Sequence, residues 1–367
     1  MQFIEVSDLK MGMRLARPIY DKKGVLLFER NSKLSEQSIS SVKNNGLLGI
    51  YILDPAEPLP PMSEEDEAFE RFQIMTVFMI QDELSTILQS KKQNKLQTII
   101  STIVKNYGHL NGKINFYQNL RSKEDYVYRH SLNVAMLCAM ISHVMNIRVD
   151  EQLQTVEAAL VHDIGKEKLP KDILFKHGAT EEDNVRIYGE QMAALELLDD
   201  FSEGPAVRRL CVHALRSQQE FATEGTVNTE AMKKVPIGAR ILIVANRYDE
   251  MTAMNLKGKS ESEVTALREF YDNPELYDPK VVEALTQSVN ILFAGVSVEL
   301  STGDKALVLV ENPQDILKPT VLIFRDNKII DLSLPGNKDI QVVDIVKTLD
   351  NRYIMDTDTL SQFMPSK

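Results

Sequence analysis

"AALVHDIGKEKLPKDIL", residues 158–174, ends an apolar run on an adjacent imidazole and carboxylate, His162 and Asp163, with Gly165 and Lys166 close behind. Upstream, Leu153, Val156, Ala159 and Leu160 recur at spacings of three and four, so the pattern predicts a helix over about 151–164 with the polar pair at its end. Adjacent side chains point about 100° apart on a regular helix, yet both can converge on one ion where the helix stops and the backbone loosens. Imidazole nitrogen and carboxylate oxygen suit divalent zinc, iron or manganese. Such an ion lowers the pKa of a bound water from 15.7 to roughly 7. Lys166, one turn on, is placed to hold a phosphate oxygen as a point charge. The competing reading is a helix end that merely carries a polar pair, because an isolated His-Asp dipeptide occurs by chance.

A second histidine weighs against chance. In "YRHSLNVAMLCAMI", residues 128–141, His130 has Val134, Leu137, Cys138 and Ile141 at +4, +7, +8 and +11, so it shares a buried helical face. His143 falls about 220° away around the same helix and reads as a surface residue. A buried helix-borne imidazole some thirty residues before "HDIGK" is a specific combination.

The bulk numbers set the frame. A chain of 367 residues, 43% apolar and 26% charged, is expected to form two or three soluble domains. No stretch approaches twenty uninterrupted apolar residues, and the N-terminus lacks a basic region followed by an apolar core, so neither a membrane span nor a secretion signal is expected. Cys138 and Cys211 lie in apolar helical patterns, which suits buried reduced thiols and a cytoplasmic location. The net charge of −11 argues against duplex nucleic acid as a partner while leaving room for a small anionic ligand held by a few local cations.

The expected organisation runs as follows. Residues 1–53 read as a small α+β domain, with strands over "MRLARPIYD" and "GVLLFER" around the turn Asp21–Gly24, a helix from an N-cap at Ser35 to a stop at Gly46, and a closing strand in "LLGIYIL". Residues 54–114 hold a Pro-rich linker and connecting helices, the first opened by Ser63 with Phe72, Met75 and Met79 as its apolar stripe. Residues 115–295 are helical almost throughout, 296–345 alternate as an antiparallel β meander, and 346–367 form a tail. The fold class expected is therefore mainly α: a helical bundle with a small α+β N-terminal domain and a C-terminal β meander.

The stretches 128–141, 158–174 and "VPIGARILIVANRYDEMTA", 235–253, resemble in order and spacing the HD-GYP branch of the HD superfamily of phosphohydrolases. The resemblance covers roughly 120–295. It implies an all-helical catalytic domain that cleaves cyclic di-GMP at a site of two or three metals. Carried over position by position, the first metal histidine falls on His130 and the His-Asp pair on His162 and Asp163. Elsewhere the chain departs. Tyr126 stands where the family has a glutamate, Val185 where it has a histidine, and His177 takes the proline position of the "KPG" turn. The His-His-Glu run becomes His213-Ala214-Leu215, no Gly-Tyr-Pro follows, Asn246 replaces the aspartate of the "VAD" motif, and Asn255–Gly258 replaces the basic segment.

Ligand-capable side chains thus remain at His130, His162, Asp163 and His213, with Asn246 able to add a carbonyl oxygen. Asp249, one turn after Asn246, reads as a structural hydrogen-bond partner. Lys166, Lys257 and Lys259 are the candidate cations for a phosphate ligand, with Asp163 and Lys166 as the catalytic candidates. Two metals must clamp the attacking and leaving oxygens together, and this donor set is short for that. The expectation is one divalent transition metal, iron, manganese or zinc, or none. Two functions follow: a degenerate signalling member with weak or no hydrolysis, acting by binding a cyclic dinucleotide, another small phosphate ligand or a signalling protein, or an active one-metal phosphodiesterase.

Overall fold

The structure is a computed structural model that describes residues 2–20, 25–44, 49–53, 63–90, 92–116, 121, 123, 125–176, 178–201, 203–253 and 260–346. The chain opens with short elements: β1 (Gln2–Glu5), β2 (Arg14–Leu15), β3 (Ile19–Tyr20), β4 (Leu26–Phe28), α1 (Glu36–Asn44) and β5 (Gly49–Leu53). β5 pairs antiparallel with β1 and β2, while β3 pairs with β4. The single strand expected over "MRLARPIYD" is therefore two strands in different sheets. Pro18 has no N–H for a ladder, and the chain turns between Leu15 and Ile19. Leu9, Leu15, Ile19, Leu34, Val42, Ile50 and Ile52 close over a small core of their own. Ser35 caps α1, its Oγ accepting from the Ser38 N–H while Ser38 Oγ accepts from the Ser35 N–H. The turn expected at Asp21–Gly24, the stop at Gly46 and the Pro-rich run 54–62 lie outside the described residues.

α2 (Glu64–Ser90) starts on a reciprocal cap in which Ser63 Oγ accepts from the Asp66 N–H and the Asp66 carboxylate accepts from the Ser63 N–H. Its buried apolar stripe is Phe69, Val77, Ile80, Leu84 and Ile87. Met75 and Met79 are exposed, and Phe72 is half-buried against Tyr107. Spacings of three and four fit two stripes on a helix this long, and the fuller one faces inward. α3 (Leu96–Tyr107), α4 (Tyr126–Val144), α5 (Val149–Val161), α6 (Lys171–Leu174), α7 (Glu181–Ala194), α8 (Gly204–Glu224), α9 (Thr229–Met232), α10 (Ile237–Thr252), α11 (Glu263–Asp272) and α12 (Pro279–Ser288) complete the bundle.

α4 is its axis. Every residue from Val127 to Ser142 is buried, as a helix surrounded on all sides must be, and α2, α3, α5, α10 and α12 all pack on it. The polar side chains between Val127 and Ser142, His130 and Asn133 among them, are buried and so need partners inside the bundle.

The C-terminal strands β6 (Ser297–Leu300), β7 (Lys305–Val310), β8 (Thr320–Ile323), β9 (Lys328–Asp331) and β10 (Val342–Ile345) form one antiparallel sheet in the order β10-β6-β7-β8-β9. Alternation divides it as expected of a strand. Val298, Ala306, Val308 and Val321 join the helical core, while Leu307, Leu309, Leu322 and Phe324 cluster on the opposite face. The turns at Gly303 and Asn327 take φ of 79° and 54°, the left-handed conformation those residue types tolerate. β10, a fifth strand that the alternation alone did not single out, returns to pair with β6 and is tied to α11 where Arg268 donates to the Val342 carbonyl. The architecture is mainly α with antiparallel sheets.

Candidate metal centre

α5 ends at Val161 with His162 as its C-cap, and the chain tightens at once into a 3-10 turn, Ile164–Lys168, for which Asp163 is the N-cap. That change of winding lets two adjacent side chains face the same point. His130 Nε2 and His162 Nε2 lie 3.4 and 3.5 Å from the Asp163 carboxylate oxygens. The ligand atoms of His130, His162 and Asp163 all fall within 4.8 Å of one another, and all three residues are buried. Asn246, on the buried face of α10, closes the group: its Oδ1 is 2.8 Å from His130 Nε2 and 3.0 Å from His162 Nε2.

The outer ends of both imidazoles are anchored. His130 Nδ1 lies 2.7 Å from Asp249 Oδ2, and His162 Nδ1 lies 2.8 Å from the Ala159 carbonyl oxygen. Both partners are acceptors, so each ring carries its hydrogen on Nδ1 and turns the Nε2 lone pair inward, the arrangement that orients imidazole toward a metal. Burial alone would push the Asp249 carboxyl up, but the Arg121 guanidinium and His130 outweigh it and hold it far below the usual carboxylate range. Asn133 Nδ2 also donates to Asp249, at 2.8 Å, and Gln73 Nε2 donates to Asn133 Oδ1 at 3.0 Å.

Asp163 shows the same balance. Burial pushes its carboxyl up; His162, Lys166 and His130 together hold it far below the ordinary range. Lys166 Nζ donates to Asp163 Oδ2 at 2.5 Å and Gln191 Nε2 donates to Oδ1 at 2.6 Å. Burial would push the Lys166 ammonium down, but Asp163 and then Glu250 raise it. Burial lowers His162, with Asp163 opposing, which keeps that ring neutral and its lone pair free for a metal at pH 7.

A cleft of about 930 Å³ opens onto this group, with Asp163, Lys166, Val185, Gln191, Asn246 and Arg247 in its lining. Among the described residues, its two cations are already engaged. Lys166 holds Asp163, and Arg247 holds Glu269 through two bonds of 2.6 and 2.8 Å.

The remaining expected positions divide. Tyr126 stacks on His130, ring centroids 6.3 Å apart and planes 12° apart, and burial raises its phenol. It packs between His130 and Phe175 with its proton kept. Val185 is exposed at the cleft. His213 does not join the cluster; it lines a separate cavity of about 520 Å³ with Arg216, Ser217 and Lys234, where burial and then the Arg209 and Arg216 cations lower its pKa. His143 is half-buried, edge-on to His109. His177, Lys257, Lys259 and the segment Asn255–Gly258 lie outside the described residues. Sequence reasoning missed Arg121, Asn133, Gln73 and Gln191. Asn133 gave a readable signal, a carboxamide inside an apolar run. The other three gave none.

One divalent ion fits this donor set: two inward Nε2 lone pairs, a carboxylate and a carboxamide oxygen. Among the described residues no other His, Cys, Asp or Glu joins the group, and Asp249 is committed to Arg121, His130 and Asn133.

The HD domain family matches residues 115–281. The chain is also similar to three curated bacterial proteins. A cyclic di-GMP phosphodiesterase of Pseudomonas aeruginosa is 25% identical over 230 residues, 60% of this chain and 55% of that protein. A cyclic di-GMP phosphodiesterase response regulator of Xanthomonas campestris is 27% identical over 37% of this chain and 36% of its own length. A cyclic di-GMP phosphodiesterase of Thermotoga maritima is 26% identical over 47% of this chain and 46% of its own. The chain therefore spans about half the length, or less, of the relatives it matches.

Proposed function

We propose that residues 115–281, which match the HD domain family, form an HD-GYP-type phosphohydrolase domain like those of the cyclic di-GMP phosphodiesterases the chain resembles, and that this chain is a degenerate signalling member that binds a cyclic dinucleotide and hydrolyses it weakly or not at all. The observation that carries this reading is the donor count. His130, His162 and Asp163 stand together, the fourth position is the neutral Asn246, and the adjacent carboxylate of Asp249 is spent on Arg121. His130, His162, Asp163 and Asn246 would hold a divalent ion, which would supply Lewis acidity and acidify a bound water. The chain's own groups do the rest: Asp249 and the Ala159 carbonyl orient the rings, and Lys166 lines the cleft, where a phosphate would compete with Asp163 for its ammonium.

The test is a turnover assay with cyclic di-GMP and added manganese or ferrous iron, run beside calorimetry. Binding without turnover is the expected result. Turnover abolished by both His162→Ala and Asp163→Ala overturns it. If neither binding nor turnover is seen, the ligand is a signalling protein or another small phosphate compound, and the dinucleotide part of the proposal falls.

A second reading, an active one-metal phosphodiesterase in the cytoplasm, draws on the inward aim of the two Nε2 atoms, a geometry that favours a cation. Elemental analysis of protein purified without chelator decides it: no stoichiometric iron, manganese or zinc rules it out.

A further inference from the structure

Asn246 Oδ1 is an acceptor set against two acceptors. Asp249 keeps the His130 hydrogen on Nδ1 and the Ala159 carbonyl does the same for His162, so both Nε2 atoms, 2.8 and 3.0 Å from Asn246 Oδ1, present lone pairs to it. The other end of the carboxamide, Nδ2, donates to no described residue, and Asn246 borders the open cleft. Buried acceptors left facing one another lose hydrogen bonding that water would have provided. Three outcomes would relieve them: extra protons on the rings, a cation among the lone pairs, or a donor in place of the oxygen.

The donor is already there. Half a turn of the carboxamide about Cβ–Cγ exchanges its oxygen for the amino group with almost no change of shape. An amino group carries two hydrogens, and two Nε2 lone pairs lie within hydrogen-bond distance of that one position. The displaced oxygen then faces the cleft side, where solvent can serve it.

We propose that Asn246 is a built-in substitute for the cation: in metal-free protein its amino group points inward and donates one hydrogen to each Nε2, closing the centre without a metal. The oxygen-inward orientation of this structure is the one that suits an ion among the lone pairs. A carboxylate at this position has no hydrogens to give and would add negative charge beside Asp163, so Asn246→Asp converts a self-satisfied pocket into one that needs an ion. The inference rests on the donor set described above and not on the identity of the nucleotide.

The experiment compares wild-type protein with Asn246→Asp, using zinc and manganese alone as probes, with no turnover measurement. Calorimetry after chelator treatment is expected to show at least about tenfold tighter metal binding by Asn246→Asp than by wild type. Side-chain ¹⁵N NMR of metal-free wild type is expected to show both imidazoles with hydrogen on Nδ1 and bare Nε2, together with one carboxamide protected from exchange, missing in Asn246→Ser. Equal metal affinity of the two proteins, or hydrogen on Nε2 of His130 or His162 in metal-free wild type, overturns the proposal. Should Asn246→Asp fail to fold, the wild-type spectrum alone decides. Failure of cyclic-dinucleotide binding leaves these readouts untouched, so the two proposals fall separately.

Discussion

Arg121 and Asp249 form an ion pair with no exposed side-chain surface on either partner, the guanidinium NH2 lying 2.7 and 2.8 Å from the two carboxylate oxygens. The guanidinium also sits 5.3 Å from the centre of the Tyr126 ring. Asp249 is thereby kept ionised at the position from which it fixes the His130 tautomer, and the charge that orients the candidate metal centre is balanced from a segment preceding α4.

Arg121→Met strands a buried carboxylate, so we expect a loss of about 3–5 kcal/mol in unfolding free energy, read from urea denaturation. The double variant Arg121→Met with Asp249→Asn removes both charges and is expected to recover part of that loss. A double variant less stable than Arg121→Met would mean that the guanidinium contributes by packing and not by neutralising Asp249.

Glu157 contributes a pH dependence of its own. This buried side chain accepts from Gln93 Nε2 at 3.2 Å and Gln97 Nε2 at 3.1 Å. Burial raises its carboxyl above the ordinary 4.5, and the two amides only partly oppose this. The folded state therefore holds the proton more tightly than the unfolded chain. Its contribution to stability is fully present below the ordinary value, is lost as pH rises through the raised one, and is level above that. Glu157→Gln lacks this dependence. Denaturation between pH 4 and 7 should show its advantage over wild type growing with pH; an advantage that grows toward acid reverses the sign and the explanation.

Cys138 and Cys211 are free and fully buried, and burial pushes both thiols well up. Thiolate is the reactive form. Native protein should therefore leave a disulfide reagent unconsumed at pH 8, and denatured protein should consume two equivalents. Prompt reaction of either thiol in native protein would contradict the packing of α5 against α4 and α8.

Legibility in the sequence followed how local each signal is. His130 announced its burial because apolar neighbours at +4, +7, +8 and +11 mark one helical face, and "HDIGK" announced a helix end. The four strands of the C-terminal meander alternate visibly. Arg121, by contrast, sits in a polar stretch and becomes a core residue only because Asp249, 128 positions later, needs it. Gln191 reaches Asp163 from α7 for the same reason, a partner set by tertiary approach. His213 illustrates the opposite error. Alignment of motifs placed it with the ligands, but α8 points it toward Arg216 and Lys234. The apolar stripe of α2 was misplaced because two sets of positions satisfied one periodicity.

Two glycines near the centre should respond to alanine with opposite signs. Gly165, inside "HDIGK", has an ordinary backbone conformation; what it provides is room. An added Cβ would meet the Glu190 carbonyl oxygen and come within 2.5 Å of Gln191 Cα, both on the backbone of α7. Backbone cannot swing aside as a side-chain tip can, so Gly165→Ala must push α7 away from the 3-10 turn, and with it the Gln191 amide that holds Asp163. We expect a loss of about 1–3 kcal/mol and weaker metal binding in calorimetry. Gly189, on the exposed side of the same α7, has nothing within 4 Å of its added Cβ. There alanine only restricts the unfolded chain and favours the helix, so Gly189→Ala should gain about 0.5–1 kcal/mol with metal binding unchanged. Thermal unfolding of the pair checks both signs at once. If Gly165→Ala proved as stable as wild type, the close approach of α7 to the His-Asp turn would be wrong, and Gln191 would lose its place in the centre.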